Sequence, residues 1–265
     1  MKKQRPKCIA TKLARRALEA LLFAGLLAFG SAAWAAQVAG VVARLSGPLM
    51  AKKADGSVKV LALKSEIESG DTLVSEKNTY AQIKFIDNSE ITLRPGTTFK
   101  VDNFAFDEGK PENDSASYSL VKGGLRSITG LMGKRNKEKF SLKTPNATIG
   151  IRGTTFVVQY VGNDASGVPT IPRSAGAPAL APALPPGLHL SVSDGAIIVT
   201  NNGGSLGFQA GQFGYVPNVN QPPVLVPNNP GLQFAPPPSF DLGASGPLAS
   251  QDASGKKDAV DCIVR

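Results

Sequence analysis

The chain has 265 residues, with 28 glycines, 20 prolines, 6% aromatic and 18% charged side chains. That length holds one or two domains with a sizeable core, and two cysteines exclude a disulfide-framed mini-protein. The formal charge of +9 is uneven: residues 1–35 carry +6 and all the rest only +3, so most of the basicity is an address, not a binding surface.

A basic stretch ends at Arg16 and an apolar run, Leu21 to Gly30, follows it. Ser31-Ala32-Ala33-Trp34-Ala35 then places small side chains at Ala33 and Ala35, which predicts a signal-peptidase cut between Ala35 and Ala36. The apolar core is about ten residues long, where spanning a bilayer needs roughly 20, so no lasting membrane span is expected. Glu19 so soon after Arg15-Arg16 fits a twin-arginine signal poorly, and Cys8 lies too far upstream to carry lipid. The chain is therefore predicted to be periplasmic, with the cell surface or exterior as the alternative.

Cleavage would leave one cysteine, Cys262, which reads as a tail thiol. His189 is the one histidine of the chain, and alternation in Leu188-His189-Leu190 puts it on the polar, solvent-facing side of a strand. Zinc sites and Ser-His-Asp triads are disfavoured on these counts, and no cofactor is implied.

The exported chain reads as strand throughout. Ala81, Ile83 and Phe85 point one way while Gln82 and Lys84 point the other. Asp87-Asn88-Ser89 supplies a turn, and Ile91 and Leu93 return on the apolar face. Phe99/Val101, Tyr118/Leu120, Phe140/Leu142 and Phe156/Val158/Tyr160 repeat the pattern. The fold class is all-β: short antiparallel strands and hairpins in a sandwich or a solenoid-like stack. Five prolines precede Asn163 and fifteen follow it. Residues 164–187 read as an Ala/Pro-rich insertion, because proline removes the ladder donor. The predicted organisation is a signal peptide at 1–35, a β domain at 36–217 containing that insertion, and a Pro-rich, disordered tail at 218–265.

Three stretches together resemble the periplasmic domain of the FecR family. They are Ile67 to Val74 with the hairpin 81–93, Leu120 to Arg126, and Thr144 to Phe156. Motif residues within them are Gly70, Asp71, Asp87, Gly123, Arg126, Thr144, Pro145, Arg152, Gly153 and Thr154, all read as structural. Gly70 and Gly153 fit reversals or close backbone approaches. Asp71 suits bonding to backbone donors just beyond its turn. Arg152 sits in an apolar, small stretch, so the reading is a buried fold-locking contact, costing about 3 kcal/mol or more on removal. The resemblance implies a signalling role through contact with an outer-membrane transporter and control of a sigma factor. The stretch before the apolar run is too short for a cytoplasmic sigma-binding region, so that control is not expected here.

The strongest charge asymmetry lies in 122–143, where seven basic residues face Glu138 alone. Lys134, Arg135, Lys137 and Lys139, on a loop read as mobile, form a candidate patch for an anionic partner; a solvated loop is the plainer reading. Few aromatics and no stacking motif argue against nucleic acid. The function read from the sequence is a non-catalytic module in envelope sensing or organisation, whose partner is an envelope protein or an anionic envelope component. A surface structural protein is the alternative. A glycan-acting enzyme is less favoured, since Asp71, Asp87 and Asp194 all sit at turns.

Overall fold

The computed structural model describes residues 37–162, 184–232 and 234–237. The expected signal peptide with its expected cut at Ala35/Ala36, residues 163–183 of the insertion region, most of the tail and Cys262 lie outside the described residues.

Among the described residues, alternating apolar residues make seventeen strands. Eight precede the longest one: β1 (Val38–Leu45), β2 (Leu49–Lys52), β3 (Val58–Leu61), β4 (Glu66–Glu68), β5 (Thr72–Ser75), β6 (Ala81–Phe85), β7 (Glu90–Leu93) and β8 (Thr98–Ala105). The longest is β9 (Ser115–Ile128). Eight follow it: β10 (Phe140–Lys143), β11 (Thr148–Ile151), β12 (Thr155–Val161), β13 (Gly187–Asp194), β14 (Ala196–Asn201), β15 (Gly204–Gln209), β16 (Phe213–Val216) and β17 (Val224–Val226). The all-β expectation holds.

The strands form two sheets that share β9. One, sheet A, runs β4-β1-β6-β7-β9-β12-β13-β16-β17. The other, sheet B, runs β3-β2-β5-β8-β9-β10-β11-β14-β15. Pairing is antiparallel except between β9 and β10. The inner faces meet in one core, where Phe85 of sheet A packs against Phe104 and Tyr118 of sheet B at 5.1 and 5.3 Å between ring centroids.

β9 crosses from sheet B to sheet A at Gly123-Gly124. Gly123 has φ +86°, and a Cβ there would stand 2.5 Å from Thr97 Oγ1 and 2.7 Å from Thr97 Cα. Thr97 is fully buried; its Oγ1 donates to Gly124 O (2.9 Å) and accepts from Gly124 N–H (3.1 Å). The crossing strand thus has its polar backbone satisfied where both ladders change partner.

Three expectations are corrected. His189 is buried, at 1% exposure, because the Tyr215 ring on neighbouring β16 and the Pro185 segment cover it. Its ring stacks on Tyr215 at 4.7 Å and its Nε2 lies 2.8 Å from Pro185 O. The segment read as a mobile loop forms a short helix, Leu131–Arg135, and a 3-10 turn, Lys137–Lys139. Beyond Pro217 the chain adds β17, which pairs with β16, so regular structure continues past the expected boundary.

Candidate functional site

Most motif residues are consumed by internal contacts. Asp71 is 1% exposed; its carboxylate accepts from Lys53 Nζ (2.8 Å) and Glu68 N–H (2.9 Å). The backbone donor thus precedes the turn at Gly70 (φ +94°) and does not follow it. Burial alone would lower the Lys53 ammonium, but its hydrogen bonds to Asp71 and Glu68 hold it above its ordinary value. Asp87 is buried and accepts from Ser89 N–H (3.0 Å) and Ser89 Oγ (2.6 Å), as its turn predicts. Beside it, burial and then the Asp87 charge push the Tyr118 phenol well above its ordinary value. A cavity of about 10 Å³ beside these residues has room for no more than one water.

Thr144 and Pro145 form the β10–β11 turn, where Thr144 Oγ1 donates to Ala147 O at 2.8 Å. Its neighbour Asn146 is buried and donates to Val216 O and Pro217 O, both at 3.0 Å. Thr154 is buried, and Thr129 Oγ1 both donates to its carbonyl (2.8 Å) and accepts its N–H (2.9 Å). Gly153 lies at φ +69°, and its carbonyl approaches Gly195 so closely that a Cβ at 195 would overlap it. Arg126 is half-buried on sheet A between Thr92 and Val157. These contacts are internal to the fold.

Arg152 is the exception. It is exposed and makes no side-chain ion pair or hydrogen bond among the described residues; only its N–H is engaged, with Ala196 O at 2.9 Å. The expected buried contact is wrong because Ile149 and Ile151 take the inner face of β11, which turns Gly150 and Arg152 outward. The same alternation in the sequence could have found this.

The basic patch divides. Arg135 grips the buried Asp114 carboxylate through Nε (2.8 Å) and one terminal nitrogen (2.9 Å), donates to Asp107 O and Glu108 O, and stacks over Phe106 at 4.7 Å. It is an anchor for the helix, not part of a free patch. Lys134, Lys137 and Lys139 remain exposed. Lys137 and Arg152 border one groove on the outer face of sheet B, about 550 Å³, floored by Gly150, Ile198 and Thr200. Arg152 also borders a second, about 320 Å³, with Gly207, Gln209, Gln212 and Leu225. One carboxylate, Glu138, lines the first groove and none lines the second. This face can bind an anion, and its glycines let another backbone come near. Among the described residues no cluster of three or more His, Cys, Asp or Glu side chains could hold a metal, and no helix is long and apolar enough to cross a membrane.

A family model described as FecR protein matches residues 71–168, the span that contains most of the motifs above. No curated protein matches the chain. Among solved structures, a cell surface anchoring domain aligns at 21% identity over 23% of this chain and 82% of its own, with a TM-score of 0.23. Two crystal structures of a candidate anti-sigma factor from Parabacteroides distasonis align at 14% identity, each with a TM-score of 0.40. The chain spans 58% of the length of that protein.

Proposed function

We propose that this chain, with its FecR match at residues 71–168, is a non-catalytic periplasmic module that acts in envelope signalling through protein contacts. The observation that carries this reading is the sorting of its polar groups. The carboxylates and hydroxyls of the motifs are closed into folding networks, whereas Arg152, Lys134, Lys137 and Lys139 are presented outward. A glycoside-hydrolysing site typically needs paired carboxylates facing a cleft. Here Asp71 and Asp87 are buried and bonded to their own turns. A groove bordered by Lys137 and Arg152 against one carboxylate, Glu138, suits a partner of opposite charge.

The test is crosslinking in cells with a C-terminal tag, followed by envelope fractionation. Recovery from the periplasm joined to an envelope signalling protein or outer-membrane transporter is the expected result. Recovery at the cell surface or in the medium without such a partner would replace this reading with that of a structural protein.

A further inference from the structure

Three features meet at the β15 end of sheet B. The first is an open strand edge: among the described residues β15 pairs with β14 and no other strand. Asn202 and Gly203 make the two-residue turn between them, closed by the pair Asn201↔Gly204. Counting from that closure, Val199↔Leu206 and Ile197↔Phe208 are the hydrogen-bonded pairs. The bond from Ala210 N–H to Gly195 O (3.0 Å) continues the same phase. The N–H and C=O groups of Ser205, Gly207 and Gln209 therefore point away from β14. Gln212 Oε1 accepts the Gln209 N–H at 2.7 Å, which leaves Ser205 and Gly207 as the open length of edge.

The second feature is a shallow trough. Gly150, Ile198 and Gly207 stand in register across β11, β14 and β15, on the outer face. A Cβ at 150 would meet nothing within 4 Å, and one at 207 only Ile197 O at 3.9 Å. The trough opens onto the free edge. The third is charge: Arg152, unpaired among the described residues, borders the same groove as Gly207 and the half-exposed Leu225, with no carboxylate lining it.

We infer that this edge receives an extended acidic peptide of a protein partner, added as a further strand beside β15. Its backbone exchanges hydrogen bonds with Ser205 and Gly207. A carboxylate on its outward face reaches Arg152 over Gly207, and an apolar side chain on the opposite face rests on Leu225. Main-chain bonds supply affinity in such strand addition and alternate side chains supply selectivity. The inference rests on the interaction-module reading above and names the chemistry of its partner.

The test is fluorescence anisotropy of the purified chain with a labelled, end-capped heptapeptide alternating aspartate and valine. Comparison probes are a lysine–valine counterpart and an aspartate–valine peptide N-methylated on its strand-pairing nitrogens. The expected result is saturable binding of the acidic peptide, weakened at least about tenfold by Arg152→Glu, by Gly207→Pro, by N-methylation and by lysine. Lys77→Ser, at an exposed lysine outside the patch and both grooves, should bind within about twofold of wild type; tenfold is about 1.4 kcal/mol. Arg152 is exposed, so its variant should melt as wild type does. Should Gly207→Pro fail to fold, the N-methylated peptide tests the edge on the unmodified chain. No binding of the acidic peptide, or equal binding of the N-methylated or lysine peptide, overturns the inference. So does Arg152-dependent binding to phosphatidylglycerol vesicles without peptide binding. If crosslinking to an envelope protein survives Arg152→Glu and Gly207→Pro, the edge is wrong and the module reading stands; if no envelope partner is captured, the module reading itself falls.

Discussion

Asn146 offers a clean perturbation, because its side chain ties the β10–β11 turn to the far end of β16. It is 8% exposed, and its amide donates to two carbonyls, Val216 O and Pro217 O, at 3.0 Å each. Asn146→Ala removes both donors and adds no new group. Each bond is worth about 1 kcal/mol net, and the stranded carbonyls add to the loss, so the cost should be about 2–3 kcal/mol. For a chain of this size that lowers the melting temperature by about 4–12 °C. Asn146→Asp makes a sharper test. A carboxylate in that buried place faces two carbonyl oxygens, so its folded pKa rises above the ordinary value of about 3.9. The folded state then binds the proton more tightly than the unfolded state. Stability of the Asp variant must therefore fall as pH rises through that window and stay low above it. Circular-dichroism melts and urea titrations of the three proteins measure both effects. An alanine variant melting within about 1 °C of wild type, or an aspartate variant that gains stability as pH rises relative to the alanine one, would refute the clasp.

At the crossing of β9, Gly123→Ala meets Thr97 and a left-handed backbone, the latter alone costing about 1–2 kcal/mol. Gly150→Ala, whose Cβ has open space, should leave the urea midpoint unchanged or slightly higher. Arg135→Ala strands the buried Asp114 carboxylate and should lower the melting temperature; Lys134→Ala should not, and equal melts would return Arg135 to the free patch. Burial lowers the His189 imidazole below its ordinary 6.5, partly offset by the Pro185 carbonyl. The unfolded chain is then protonated first, so stability tied to His189 is present above about pH 6.5 and declines as pH falls toward the folded pKa. His189→Phe, which keeps a ring against Tyr215, should flatten the melting profile between about pH 7 and 5.5; parallel profiles would show that His189 does not titrate on unfolding.

The hairpin 81–93 was fully legible, since period-two alternation and an Asx turn are local signals. Ala81, Ile83, Phe85, Ile91 and Leu93 are all buried and Asn88 has φ +61°. Gly123-Gly124 could be seen as a motif but not explained, because what demands two glycines is Thr97 and the Val158 carbonyl on strands distant in sequence. His189 was misplaced because alternation assumes a wet outer face, and there Tyr215 and Pro185, distant or unpatterned in the sequence, close over the ring. Counting charges from 122 to 143 found a basic run, yet it could not reveal that Arg135 is paired with Asp114, 21 residues earlier. Arg152 failed for a different reason. The inward alternation of Ile149 and Ile151 already turns residue 152 outward, and a guanidinium in water needs no internal partner.

β9 also divides the molecule in a way that no single strand pairing conveys. In both sheets the strands before it lie on one side and those after it on the other. The domain is a file of two half-chains spliced by one ribbon, and its ends belong to opposite halves. With about 4.8 Å per strand, the eight intervals of a nine-strand sheet separate those ends by about 38 Å. At about 20° of twist per step, the outer face has turned through about 160° between them. Bodies seated at β15 and at β3 would therefore stand apart and look in nearly opposite directions.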